Sequence, residues 1–337
     1  MTLVKLPERP VLVPRDGNDR PMVVPKAGGK PTAHTRTTTF IDCIDDKSNL
    51  TNWGKRMVLK GAAIKPSLLD VARDLDPKKD RSQLDALAEK ALEAAGGNDR
   101  RDKGSHLHEL SECVDRGEQL PERTKFGITT QADLMDMAAY KLATVSHDVR
   151  DIERMVVINI LRTAGTPDRT SDYAGPGPLK DKDGKPLWIE GRFITDLKTG
   201  NMEYGHLKMA SQLGVYSRGE FYDPSHFPAP ERLAKDEPGY KEAEKAWTKW
   251  KNTVFPPEVA CKAYAPIGDI NMDWGIIIGL EPGSAEVEMH WVDLNKGWAA
   301  ATLALDIRKM RSTPKPMIPF AVTSVTPSGL AISGASV

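Results

Sequence analysis

An aspartate and a lysine stand two residues apart in residues 193–200, near the end of an apolar run. If this run is a β-strand, residues i and i+2 point to the same face, so Asp196 and Lys198 lie side by side while Leu197 points into the core. A carboxylate that can hold a cation, beside an ammonium that can offset phosphate charge, suits metal-assisted phosphodiester hydrolysis. A lone Asp-x-Lys is common on solvated strands, so its neighbours decide the interpretation.

Further segments carry residues that suit the same chemistry. Asp168 follows a β-rich run at residues 155–161 and supplies a second carboxylate. His108 lies in a helical pattern, and Gln212 and Tyr216 have the spacing of neighbours on one helix face. These segments are predicted to meet the Asp-x-Lys strand at one site.

The residue types predict which cation the site holds. Hard cations such as Mg²⁺ prefer carboxylate oxygens, so Asp168 and Asp196 are the natural ligands. An imidazole ligand widens the choice toward Mn²⁺, so His108 predicts a manganese preference. Lys198 would orient or help to deprotonate the attacking water and would offset phosphate charge.

Four short motifs occur in a fixed order along the chain. They are Gly-x-x-x-His from Gly104 to His108, Gly-x-x-Asp from Gly165 to Asp168, Asp-x-Lys from Asp196 to Lys198, and Gln-x-x-x-Tyr from Gln212 to Tyr216. With these motifs the chain resembles the RecB-like nucleases of the PD-(D/E)xK superfamily, and in particular the stand-alone RecB-like exonucleases of actinobacterial phages. The resemblance covers roughly residues 33–311. Each motif alone is weak, but the joint order is specific.

The resemblance implies an α/β fold, more exactly a mixed α+β sheet with a restriction-endonuclease-like core and a helical N-terminal elaboration. It implies a metal-dependent DNA exonuclease that uses Mg²⁺ or Mn²⁺ in phage recombination, replication or repair. The partners would be linear DNA ends, single- or double-stranded, with a recombination or helicase protein as a further partner. In this family Gln212 and Tyr216 would lie over the active site and contact the substrate. Arg169, next to Asp168, would meet a phosphate or pair with a surface acid.

Two histidines compete for the ligand position. His106 and His108 differ by about 200° in direction on a helix, so only one faces the site. The family spacing from Gly104 selects His108, and Glu112 shares its face four residues on. Glu112 is predicted to hold the imidazole ring as an outer contact.

Three alternative interpretations stay open on the sequence. The same site could belong to a structure-specific DNA endonuclease. The chain could be a non-catalytic DNA-binding or scaffold protein on a nuclease fold, although Asp168, Asp196 and Lys198 are all present. It could also be an unrelated α+β protein in which the motifs coincide by chance.

Composition narrows the setting. The 337 residues include 47 basic and 47 acidic side chains, so DNA binding requires a local basic surface. Candidate surfaces are residues 55–60, 100–103 and 245–251, the last with tryptophans between lysines. Only three cysteines occur, without a Cys-x-x-Cys pair, so the chain is expected to lack the iron–sulfur cluster of some relatives. No apolar stretch has membrane-spanning length and no signal peptide is evident, which predicts a cytoplasmic protein without a membrane partner.

The hydrophobic pattern predicts the elements that position these residues. Residues 1–32 are expected to form an extended arm, 33–311 the nuclease domain, and 312–337 a tail. Helices are expected at 36–65 and 81–150, with a capping box at Thr130, and strands at 153–172 and 187–198 joined by a loop at 175–186. A helix with Gln212, an irregular insert at 222–239, a Lys/Trp-rich helix, strands at 274–280 and 287–291, and a helix at 295–311 follow.

Overall fold

A computed structural model describes residues 11–200 and 202–313. Its helices are α1 Thr37–Ile41, α2 Ser48–Ile64, α3 Ser67–Ala72, α4 Arg81–Ala94, α5 Asp99–Arg116, α6 Gln131–Ala143, α7 His206–Tyr216, α8 Tyr240–Asn252, α9 Pro257–Ala260 and α10 Leu294–Ser312. Its strands are β1 Met22–Val23, β2 Thr32–Ala33, β3 Thr35–Arg36, β4 Arg123–Thr124, β5 Gly127–Ile128, β6 His147–Ile152, β7 Val156–Ile158, β8 Thr163–Gly165, β9 Arg169–Lys180, β10 Pro186–Lys198, β11 Glu220–Tyr222, β12 Tyr264–Pro266, β13 Trp274–Leu280 and β14 Val287–Asp293.

The main sheet has the strand order β14-β13-β10-β9-β6. β10 and β13 run parallel, whereas the other neighbouring pairs are antiparallel. Strand β13 is buried along most of its length because both faces of the sheet are covered, as its continuous apolar sequence predicts. The protein is therefore a mixed α+β fold with mixed sheets, which agrees with the predicted fold class.

Alternation along β10 separates the two sides of the core. Phe193 and Leu197 face a cluster that includes residues of α5 and α6. Ile194 faces the opposite cluster, which includes residues of α1, α7 and α10. Asp196 has the parity of Ile194, so it points to the α7 side of the sheet.

Helices α7 and α10 approach each other very closely. A Cβ on Gly297 would lie 1.9 Å from the carbonyl oxygen of Ala210, and a Cβ on Gly214 would lie 2.8 Å from the carbonyl oxygen of Leu294. Only glycine leaves room for this backbone contact, which fixes α7 over the sheet.

A second sheet, of order β12-β11-β7-β8-β3, lies beside the main one. Its core contains Met155, Val157 and Tyr222 together with Val23 and Val24 of the N-terminal segment. Part of the predicted N-terminal arm is thus built into the fold, because its apolar residues are buried and β1 pairs with β2. Residues 1–10 and residues 314–337 of the predicted tail lie outside the described residues.

Helices α2, α3 and α4 form a separate helical hairpin between α1 and α5. They pack mainly on one another, and a Cβ on Gly61 would lie 1.6 Å from the carbonyl oxygen of Ala91. This hairpin covers part of the two ranges, 36–65 and 81–150, that were predicted to be mainly helical. Much of its surface is exposed, including Leu59 and Ile64.

Several predicted elements are confirmed and others are corrected. The capping box of Thr130 with Asp133, the strands at 274–280 and 287–293 and the final helix are present. Residues 153–172 do not form one strand, because β7 and β8 join the second sheet and β9 begins only at Arg169. The predicted loop at 175–186 is mostly strand, since β9 continues to Lys180 despite its glycines and prolines. Residues 147–152 form an edge strand of the main sheet, although a helix was expected up to residue 150.

Among the residues that the structure describes, no helix combines the length and the apolar character needed to cross a membrane.

Candidate active site

Two aspartates lie together where β9 begins and β10 ends. Arg169 is paired with Thr195 in the antiparallel β9–β10 ladder, so Asp168 comes next to Asp196. The backbone N–H of Leu197 donates to Asp168 Oδ2 over 2.7 Å. This bond joins Asp168 to Leu197, the middle residue of the Asp-x-Lys motif. Both carboxylates are thereby fixed where strand β9 begins and strand β10 ends.

Asp196 is almost fully buried, with 1% of its surface exposed. Its Oδ1 accepts a hydrogen bond from Gln212 Nε2 over 3.2 Å, and its Oδ2 forms an ion pair with Lys198. Burial raises the pKa of Asp196, and the nearby charge of Asp168 raises it further, whereas Lys198 acts in the opposite direction. The carboxylate therefore sits where an additional positive charge would be stabilising.

Lys198 stands beside Asp196 on the same face of β10, as the strand alternation predicts. Burial alone would lower its pKa, but the charges of Asp196 and Asp168 outweigh burial and the pKa of Lys198 is raised. Its Nζ also donates to Gln212 Oε1 over 3.4 Å. Lys198 is therefore held as an ammonium in this arrangement.

His108 comes from α5, on the other side of the sheet from the Asp196 side chain, and contacts Asp168. Its Nδ1 lies 3.3 Å from Asp168 Oδ2. The helix that carries it comes close to the end of β10, because a Cβ on Gly104 would lie 2.5 Å from Thr199 Oγ1. The glycine of the Gly-x-x-x-His motif thus permits the approach that brings the histidine to the site.

His106, the other histidine considered as a ligand, contributes to the packing between helices. His106 is buried, with Nδ1 2.6 Å from Thr124 Oγ1 and Nε2 3.4 Å from Asp133 Oδ2. Asp133 is itself the N3 residue of the capping box that Thr130 begins in α6. His106 therefore joins α5 to α6 and lies away from the carboxylates of the site.

Gln212 and Tyr216 hold the site from α7. Gln212 bridges Asp196 and Lys198, and a Cβ on Gly165 would lie only 2.7 Å from the Tyr216 hydroxyl oxygen. Both side chains were expected to contact substrate, yet Gln212 is 9% exposed and Tyr216 is 3% exposed. In this arrangement they position other residues of the site.

Arg169 lies in the interior, contrary to the expectation of a phosphate contact or a surface ion pair. Its side chain is 2% exposed, Nε donates to Asp115 Oδ2 over 2.8 Å, and Nη2 donates to Ser111 Oγ over 3.0 Å. Its guanidinium also lies over the Tyr140 ring. Arg169 therefore joins the start of β9 to α5, which places Asp168 beside His108.

Glu112 has a different neighbour from the one predicted. Its Oε2 lies 3.5 Å from Arg116 Nη2, and no hydrogen bond or ion pair between described residues joins it to His108. Burial raises the pKa of Glu112, and the charge of Asp168 contributes in the same direction. Glu112 therefore adds negative charge near Asp168 without holding the imidazole ring.

Glu153, which no motif marked, lies next to these acids. It directly follows β6, and its backbone N–H donates to the carbonyl oxygen of Asp168 over 2.9 Å. Burial, followed by the charge of Asp168, raises the pKa of Glu153 to about 8. Its φ of 50° is rare for a residue with a side chain. No sequence signal marked it, because a helix was expected up to residue 150 and strand β6 was not predicted.

The carboxylate and imidazole side chains of the site are ligand types that suit a hard divalent cation, but their present arrangement does not form a complete coordination site. Among the described residues, no three Asp, Glu, His or Cys side chains come together as a metal-binding group. Asp168 and Asp196 are close enough to raise the pKa of Asp196, and His108 lies against Asp168. Carboxylate oxygens with one imidazole suit Mg²⁺ or Mn²⁺, and a cation would take over the charge compensation that Lys198 gives to Asp196.

The candidate basic surfaces are partly used within the fold. Trp247 and Trp250 of α8 are 6% and 8% exposed and pack with Met22, so their rings do not form a stacking surface for bases. Lys103 pairs with the buried Asp133. Residues 55–60 lie on α2 and are half-buried or exposed, and the basic side chains of Lys55, Arg56 and Lys60 lie at the surface of the helical hairpin.

The sequence was also compared with known proteins: no protein-family model matches the chain, and no curated protein matches it.

Proposed function

We propose that this protein is a metal-dependent DNA exonuclease built on a restriction-endonuclease-like core. The observation that carries the proposal is that Asp168, Asp196 and Lys198 lie together where β9 begins and β10 ends. His108 contacts Asp168, and Gln212 bridges Asp196 and Lys198. These contacts join residues from all four sequence motifs through a network of hydrogen bonds and ion pairs. A chance coincidence of motifs would not be expected to produce such a network.

Each residue has a role that follows from its position. Asp168 and Asp196, with His108, would hold Mg²⁺ or Mn²⁺. When bound, the cation supplies a nucleophilic water and neutralises charge on the phosphoryl oxygens. Lys198, released from Asp196, would orient that water and stabilise the charge that develops on the phosphate.

Gln212 contributes to the same chemistry by positioning. Its amide donates to Asp196 and accepts from Lys198, so it fixes the spacing between the carboxylate and the ammonium. A buried amide held by two charged neighbours has few other conformations. We therefore assign Gln212 and Tyr216 to preorganisation of the site.

The zero net charge of the protein favours cleavage from the ends of DNA over cleavage within a continuous duplex. A molecule with balanced charge attracts DNA only where basic side chains cluster, and a narrow basic channel admits a free end more readily than a continuous duplex. The substrate would be linear DNA in a bacterial host cytoplasm, and a recombination or helicase protein would supply the ends.

End-labelled linear DNA and covalently closed circular DNA, each incubated with Mg²⁺ or Mn²⁺, test the proposal. The wild-type protein is expected to degrade the linear DNA from its ends and to spare the circles. Asp196→Asn should abolish cleavage, whereas Asp183→Asn, in the exposed turn between β9 and β10, should leave it unchanged. Rapid nicking of the circular DNA would favour an endonuclease. Absence of cleavage with both cations would contradict the proposed enzymatic function.

A further inference from the structure

We propose that an apolar cavity beside the Asp-x-Lys strand receives an unpaired base of the DNA strand being cut. The proposal rests on the proposed nuclease function. The cavity has a volume of about 420 Å³ and lies between α7 and strands β13 and β14, with Met202, Met209, Ile277 and Val292 among its lining residues. This volume is within the range of sites that enclose small organic groups.

The floor of the cavity is continuous with the catalytic strand. Asp196 is in register with Ile277 on β13, and Ile277 is in register with His290 on β14. Residues in register point to the same face of a sheet, and neighbouring strands lie about 4.8 Å apart. The cavity therefore begins one strand away from the carboxylate that would hold the cation.

Met202 separates the cavity from the ammonium of the site. Gly279 is in register with Lys198, and a Cβ on Gly279 would lie 2.6 Å from Met202 Cε. The Met202 side chain thus lies on the strand next to Lys198, in the space that a larger residue at position 279 would fill. A base entering the cavity would contact Met202 while its phosphate stays near Lys198.

Helix α7 supplies the remaining wall and couples the cavity to the site. Met209 lines the cavity, and Gln212, which donates to Asp196, lies three residues later on the same helix. Positions three apart are neighbours on a helix surface. A group that fills the cavity would therefore press on the helix segment that orients the carboxylate.

The lining chemistry selects an uncharged planar group. Met202, Met209, Ile277 and Val292 present apolar atoms, and thioethers adapt to aromatic faces. The basic side chains of the lining already have partners, since Lys296 Nζ lies 3.6 Å from Asp293 Oδ2, His290 Nε2 lies 3.2 Å from Glu288 Oε2, and His206 Nε2 contacts the carbonyl oxygen of Met202. A nucleobase meets these conditions, whereas a free phosphate would lack an unpaired cation in this lining. An unpaired base leaves its stack at the lowest energetic cost, so it is the base expected to enter.

Two substrate comparisons test the inference. Single-stranded oligonucleotides carry either normal nucleotides or abasic nucleotides at both ends, so that cleavage polarity does not matter. We expect wild-type kcat/KM to be about tenfold lower for the abasic ends, because they lack the base that the cavity would hold. Val292→Phe and Met209→Trp, which fill the cavity from the strand and from the helix, should cut both substrates at the lower rate.

Met289→Phe is the matched control, because Met289 points to the other face of β14 and is 39% exposed. It should keep the wild-type preference. Equal wild-type rates on both oligonucleotides, with Asp196→Asn inactive, would overturn the cavity inference and leave the nuclease proposal intact.

A binding measurement separates the two proposals further. An oligonucleotide with 2-aminopurine at both ends is titrated with protein in EDTA, where no cleavage occurs. The fluorescence of the end base is expected to change on binding to wild type and to Met289→Phe, and to stay constant with Val292→Phe and Met209→Trp. Wild-type binding without a fluorescence change, or absence of DNA binding, would overturn the cavity inference.

Discussion

Gly165 and Tyr216 fit against each other across the candidate site, the first from strand β8 and the second from helix α7. A Cβ on Gly165 would lie 2.7 Å from the Tyr216 hydroxyl oxygen and 3.3 Å from Cζ. Two motifs far apart in the sequence are thus complementary halves of one contact. Gly165 precedes Asp168 by three residues, so this contact also helps to fix the position of Asp168 just before strand β9.

Gly165→Ala is expected to destabilise the protein by about 1 to 3 kcal/mol, because the added methyl group overpacks a buried contact. Tyr216→Phe removes the nearest atom, so the double variant should recover part of that loss. Urea unfolding of the two single variants and the double variant measures the coupling. Additive effects would show that the two residues do not interact.

Asp196→Ala is expected to lower stability by about 1 to 3 kcal/mol as well as to abolish cleavage, because it leaves the half-buried Lys198 ammonium without its ion-pair partner. Asp196→Asn with Lys198→Met removes both charges and should unfold within about 1 kcal/mol of wild type while remaining inactive. Denaturant unfolding and a cleavage assay measure the two properties separately. Wild-type stability of Asp196→Ala would contradict the buried ion pair.

The raised pKa of Glu153 predicts that the stability of the protein falls as pH rises. Its pKa is raised from 4.5 to about 8 in the folded state, so between these values the folded state keeps a proton that the unfolded state has lost. Stability then decreases with pH across this window by a few kcal/mol, on the order of 1.4 kcal/mol per unit. Unfolding in EDTA between pH 5 and pH 8 should show a smaller slope for Glu153→Gln than for wild type. The exposed Glu281→Gln variant should keep the wild-type slope.

Arg169→Gln is expected to cost about 3 to 5 kcal/mol of stability, because it leaves Asp115 buried and without its charged partner. Arg150→Gln, on the exposed side of β6, should cost less than about 1 kcal/mol. Thermal melting compares the two, and DNA binding is measured on each folded variant. If Arg169→Gln melted like wild type and bound DNA weakly, Arg169 would be a phosphate contact after all.

His108→Ala should reduce Mn²⁺ binding more than Mg²⁺ binding, because it removes the only nitrogen ligand assigned to the site. His106→Ala is the matched control from the same helix. It should lower stability, since it breaks the contacts with Thr124 and Asp133, and leave the metal preference unchanged. Calorimetric titration with each cation measures both variants. An unchanged Mn²⁺ affinity in His108→Ala would remove His108 from the ligand set.

Strand alternation and helix spacing predicted part of the site well. The side-by-side position of Asp196 and Lys198 follows from a period of two, and the approach of His108 was selected by its spacing from Gly104. The first depends on local strand geometry, whereas the second came from the motif spacing of the family that the chain resembles. The central strand β13 was predictable for a similar reason, since burial on both faces leaves a continuous apolar run.

Contacts between distant segments were not predictable in this way. The burial of Arg169 depends on Asp115, which is 54 residues earlier on a different element. Glu153 reaches the site only because β6 pairs with β9, and that pairing leaves no local pattern. The glycines and prolines of β9 indicated a loop because turn propensity is local, whereas the long ladder with β10 overrides it.

The helical hairpin of α2, α3 and α4 gives the protein a modular architecture. It leaves the core after α1 and returns at the start of α5, and its helices pack mainly on one another. Insertions, deletions or exchange of the hairpin would therefore change the surface of the protein without repacking the sheet. Sequence changes confined to this segment would leave the contacts among Asp168, Asp196, Lys198 and His108 intact.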